Sequence, residues 1–171
     1  MTTKVAPGVR GAIESHLGSA QVSRVIYGSI IGLALVVSLE DHPPAPGVMT
    51  GFLLATALAV ALAEIYSDII GTETHTRARV GSARTRSIAT EAGAVACGIG
   101  FPAVFFVLAS AGAIELHTAF TIAKWSGLGL IGLYGYFGGR LSGRSVPASI
   151  LHALAVGAIG GILIAFKSLL H

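Results

Sequence analysis

Glu64 and Asp68 are the residues of this chain whose type and spacing best suit chemistry. They stand four apart inside an apolar run, which puts both carboxylates on one face of a helix. Paired carboxylates offer hard oxygen ligands to a divalent cation, or exchangeable positions for a proton. Ionisable groups inside a bilayer are costly, so each is a candidate functional group by default. Tyr27 and Ser29 lie early in the first apolar run, Glu91 opens the third and His152 lies early in the fifth. The expected site is Glu64, Asp68 and His152 as metal or proton groups, with Tyr27, Ser29 and Glu91 as supporting polar groups. Asp68 and Glu91 also admit a plainer reading as carboxylates wetted at an interface. For Glu91 a helix N-terminus, where negative charge is favourable, is setting enough.

Other reactive types form no constellation. His75 and His117 lack metal-ligand spacing, and Cys97 reads as a small core residue. No Ser/His/Asp or Cys/His set and no phosphate-binding glycine loop is present, so an enzyme is not expected. Lys124 is a second deep charge, expected to extend its ammonium to nearby headgroups. Trp125 and Tyr66 read as packing or interfacial residues.

The elements that must position these groups follow from composition. Hydrophobic residues make up 53% of the 171 residues and charged residues only 11%, well under the roughly 25% of soluble chains. The charges gather in short polar stretches and leave five apolar runs, at about 22–39, 47–70, 92–114, 118–138 and 147–169. Each run has about 18 to 24 residues, and a helix needs roughly 20 to cross a hydrocarbon core. Helices satisfy their own backbone hydrogen bonds in lipid. The expected fold is an all-α membrane protein. A single five-helix transmembrane domain over 22–171 follows a cytoplasmic segment, 1–21. Residues 8–21 fit either a short surface helix or a disordered tail. No cleavable leader is expected, because the first 21 residues are polar and Gly-rich.

The connections alternate in charge. The N-terminal stretch (Lys4, Arg10 and Arg24 against Glu14), the second connection (Arg77, Arg79, Arg84, Arg86) and the fourth (Arg140, Arg144) are basic. The first, Glu40-Asp41-His42-Pro43-Pro44-Ala45-Pro46, has no Lys or Arg. The positive-inside rule then puts the N-terminus in the cytoplasm and the C-terminus outside, with Lys167 as an exception. The expected location is a bacterial plasma membrane. The net charge of +3 reads as a topology signal, and nucleic acid is not an expected partner. Arg77, Arg79, Arg84 and Arg86 either contact anionic lipid headgroups or only set orientation.

In lipid, helices associate through small residues. Gly28 and Gly32 in the first run, Ala59, Ala63 and Ser67 in the second, and Gly157 and Gly161 in the fifth are the expected packing positions. They permit close approach within the chain or across a homodimer. Pro102 is expected to kink the third helix.

Three segments resemble the vacuolar iron transporter family. They are Arg24-Val25-Ile26-Tyr27-Gly28-Ser29-Ile30-Ile31-Gly32-Leu33, then Ala63-Glu64-Ile65-Tyr66-Ser67-Asp68, then Gly139-Arg140-Leu141-Ser142-Gly143-Arg144-Ser145. The resemblance implies a dimeric five-span bundle that moves ferrous iron or manganese. Of that family's metal groups, only Glu64 carries over. Ile31 stands where the family has an aspartate, and Val60-Ala61-Leu62-Ala63 holds no methionine. The second connection is short and basic where many members have an acidic domain. Two functions are therefore expected in parallel. One is a transporter of divalent metal coupled to protons. The other is a non-transporting scaffold or accessory subunit built on the same bundle.

Overall fold

Proline and glycine punctuate the chain, and the helices begin and end where they do for local reasons. The computed structural model describes residues 19–169. Six α-helices make up its regular structure, with no strand among the described residues. They are α1 (Ser19–Leu39), α2 (Pro46–Thr76), α3 (Ser82–Gly100), α4 (Ala103–Ser110), α5 (Leu116–Leu141) and α6 (Val146–Leu169). Pro46 opens α2, where its fixed φ suits the first turn and its missing N–H costs nothing. Gly112 and Gly143 follow α4 and α5 at φ +75°, a backbone conformation that glycine adopts without a Cβ clash. Arg144 donates its N–H to the Gly139 carbonyl and Gly143 to that of Arg140, closing the end of α5.

The expected third helix is two helices. α3 and α4 meet at Phe101–Pro102 with a bend of 47°. Pro102 has no N–H to give to the preceding turn, and its ring clashes with the carbonyl four residues back. The apolar runs also understate the helices. α2 continues to Thr76 and has 31 residues, about 46 Å of helix. α3 begins at Ser82, well before the third apolar run. The N-terminal segment, with the surface helix considered for 8–21, lies outside the described residues except for 19–21, which belong to α1.

Three helices are long and apolar enough to cross a membrane: Gln21–Leu39 within α1, then α2, then Val146–Lys167 within α6. The bent pair α3–α4 passes the same test when taken together. α5 is long enough at 26 residues, but glycines, Lys124 and Trp125 lower its hydropathy.

α1 is the spine. α3 and α5 pack along it, and α6 touches it while leaning mainly on α5. α2 rests on α3 and α4. α2 and α6 thus stand on opposite flanks. Three apolar clusters fill the seams. Val36, Met49, Leu53, Phe106 and Phe120 join α1, α2, α4 and α5, with the two phenylalanine rings edge to face at 4.8 Å. Leu33, Val37 and Ile131 join α1 to α5. Ala57, Val95 and Ile99 join α2 to α3.

The closest approach is between α1 and α3. A Cβ placed on Gly28 would lie 2.1 Å from the Val95 carbonyl oxygen, and one on Gly32 would lie 2.9 Å from that of Ile99. Gly98 faces back in the same way, 2.6 Å from the Val25 carbonyl oxygen. Only hydrogen fits at these points. Gly157 and Gly161 make no close approach within the chain, because a Cβ placed on either would meet nothing within 4 Å. Ser149, Ala153, Val156 and Gly160 are among the α6 residues that meet α5 and α1. Ala59, Ala63 and Ser67 on α2 also face outward.

Candidate functional site: an arginine among three carboxylates

The antiparallel run of α2 against α1 returns Glu64 and Asp68 to the level where α1 starts. There the side chain of Arg24 meets them. One terminal nitrogen, Nη1, donates to Glu64 Oε2. The other, Nη2, reaches Asp68 Oδ2 at 3.1 Å and Glu91 Oε2 at 3.3 Å. Ser87 Oγ donates to Glu91 Oε1 at 3.1 Å, and Arg84 Nη1 stands 3.7 Å from that oxygen. One guanidinium thus joins α1, α2 and α3. It suits the role because its planar fork presents several donors at fixed angles. The group is partly shielded, with the side chains of Glu64 and Glu91 only 18% and 17% exposed.

The structure brings together three of the expected site residues, Glu64, Asp68 and Glu91. It does not bring Tyr27 or His152 to them. Tyr27 is 46% exposed. His152 is half-buried on α6, on the other flank of the spine. Ser29 is buried at the α1–α3 contact, and its hydroxyl has no hydrogen-bond partner among the described residues. Arg24 was the residue that sequence reasoning passed over, as one more charge of the basic N-terminal segment. Its place was visible in one respect: it lies inside the first apolar run, one turn before Gly28.

A second charged group closes the opposite end. Lys124 Nζ donates to Glu40 Oε1 at 2.6 Å. Lys167 Nζ reaches Glu40 Oε2 at 3.3 Å and Asp41 Oδ1 at 3.0 Å. Lys124 therefore turns to a carboxylate at the end of α1 rather than outward to headgroups. Lys167, the exception to the charge pattern, has the same partner. Burial pushes the Glu40 carboxyl up, but the hydrogen bonds and charges of Lys124 and then Lys167 outweigh it and hold the group below its ordinary range. A groove of about 300 Å³ opens beside this group, lined by Ala34, Val37, Asp41, Leu163, Phe166 and Lys167. Cys97 is exposed and lines a separate groove of about 240 Å³ between α1, α3 and α5.

The arrangement around Arg24 can hold helices together. Among the described residues no three His, Cys, Asp or Glu side chains are grouped to hold a metal ion. The space a cation would take between the carboxylates holds the guanidinium. Compared with protein-family models, with curated proteins and with solved structures, the chain matches none.

Proposed function

We propose that the chain is an integral membrane protein with five crossings, made by α1, α2, the bent pair α3–α4, α5 and α6. In this reading the basic end faces the cytoplasm. Its function is that of a non-transporting scaffold or accessory subunit. The observation that carries this reading is the occupation of the Glu64–Asp68–Glu91 set by Arg24, a cation supplied by the chain itself. Cargo such as ferrous iron or manganese would have to displace a guanidinium bound to three carboxylates. A scaffold needs the reverse, a clasp that stays shut. α2 serves it further by turning Ala59, Ala63 and Ser67 outward, where the backbone of another helix, such as that of a second copy, can approach closely.

The test is metal uptake into vesicles reconstituted with the full chain. The scaffold reading expects ferrous iron and manganese flux equal to that of empty vesicles. Flux above that level, abolished by Glu64→Ala, overturns it.

A specific observation favours a second reading, the proton-coupled transporter. Three carboxylates share one central guanidinium, with Arg84 only at the edge, so negative charge is in excess. Intramembrane carboxylates of this kind serve proton relays in pumps and transporters. This reading, like the resemblance to the vacuolar iron transporter family, expects the Glu64-dependent flux that the first reading denies.

A further inference from the structure

Two connections far apart in sequence lie at the same end of the spine. The α2–α3 connection follows from the contacts of Arg24 with Glu64 and Glu91. The α5–α6 turn follows from Gly138, whose Cβ position would lie 3.3 Å from a Val22 methyl. Arg77 and Arg79 lie in the α2–α3 connection, Arg84 and Arg86 at the start of α3, Arg140 in the last turn of α5 and Arg144 in the turn after it, and all six are exposed. The acids of this end are engaged. Glu64, Asp68 and Glu91 hold Arg24, and Glu73 Oε1 accepts the Val80 N–H at 3.1 Å. Among the described residues, the outer surface of this end is therefore dominated by guanidinium groups. At the other end, Lys124 and Lys167 are both paired with acids.

We propose that this end binds the headgroups of anionic phospholipids through Arg84, Arg86, Arg140 and Arg144. The inference rests on the five-crossing reading for its depth argument. Arg86 and Arg84 lie five and seven residues before Glu91, about 7 and 10 Å beyond the Arg24 level along α3. That is the depth of a headgroup layer when Arg24 sits at the hydrocarbon edge. The arginines come from two helix pairs, α2–α3 and α5–α6, each packed on the spine, so an extended layer of phosphates can meet both groups at once. Guanidinium forks also match phosphate oxygens two at a time.

The experiment uses the full chain in nonionic detergent, with phosphatidylglycerol or phosphatidylcholine added, and reads retained lipid by native mass spectrometry and the thermal midpoint by circular dichroism. Phosphatidylglycerol is expected to be retained at least about tenfold more strongly. Its gain in midpoint is expected to vanish in about 0.5 M salt, where screening is short-ranged. Arg84→Gln/Arg86→Gln and Arg140→Gln/Arg144→Gln each leave the end basic, and each is expected to lower retention by roughly an order of magnitude. Equal retention of the two lipids by the wild-type chain overturns the proposal whether or not the variants fold. So does a gain that survives salt. A gain reproduced by soluble tripolyphosphate at matched phosphate overturns the assignment to headgroups.

Discussion

Arg24 and Glu91 are 67 residues apart, the same offset that sets Gly28 against Val95 and Gly32 against Ile99. The ion pair and the close packing are thus one alignment of two parallel helices. α1 and α3 can meet so closely only in the register that delivers Glu91 to Arg24. A slip by one residue would press a side chain against a backbone and also part the charges.

Removing Arg24 leaves three carboxylates together without their cation. Arg24→Gln is expected to destabilise the bundle by about 1–3 kcal/mol, less than the full cost of breaking a buried pair because the group is partly exposed. Adding Glu64→Gln should recover part of the loss, since it removes one of the unbalanced charges. Unfolding of the purified protein in denaturing detergent measures both. Equal stability of wild type and Arg24→Gln would remove the clasp from the account.

Gly28 and Gly157 make a matched pair of substitutions. Gly28→Ala places a methyl group 2.1 Å from a backbone oxygen and must push α1 and α3 apart, at an expected cost of roughly 3 kcal/mol or more. Gly157→Ala meets open space and should be neutral or stabilising by up to about 1 kcal/mol, since alanine favours a helix. Thermal midpoints of the two variants give the contrast.

Ser29 holds a buried hydroxyl that donates to nothing among the described residues. Ser29→Ala is expected to stabilise the protein by about 1 kcal/mol, because an unsatisfied buried polar group is removed without leaving a large void. A loss of stability on this change would mean that the hydroxyl has a partner in the membrane.

The Glu40 carboxyl is held below its ordinary range in the folded chain, once the lysines outweigh the effect of burial. The group binds its proton more readily when unfolded. Its stabilising effect is therefore complete above the ordinary carboxylate range and is lost as pH falls through the lowered value. Glu40→Gln should flatten the acid limb of a stability profile recorded against pH.

The helices themselves were largely legible in the sequence, because hydropathy reports directly on what lipid accepts. Their ends were less so. α2 runs on through Thr72, Glu73, Thr74 and His75, and a hydropathy profile stops where the apolar residues stop, not where the helix does. The break at Phe101–Pro102 fell where proline chemistry puts it. The packing faces were only partly readable. In a soluble helix the buried face is the apolar one, but a helix fit for lipid is apolar all round. Gly28 and Gly157 therefore look alike in sequence, and only one of them meets a neighbour. Arg24 was obscured for a related reason: a positive charge near a helix end reads as a topology signal before it reads as a partner. Lys124 was likewise read alone, without the carboxylate of Glu40 that follows α1.

The spine has a consequence for how the chain is built. Arg24 and Glu40 lie near opposite ends of α1, about 24 Å apart, and α1 is the earliest of the described helices to leave the ribosome. In the five-crossing reading, a chain inserted in order brings Glu64, Asp68 and Glu91 into a bilayer where Arg24 already waits. Lys124 and Lys167 then arrive to find Glu40. Each late charge has its counter-ion in place before it must enter, so the order of synthesis spares every one of them a solitary passage into oil.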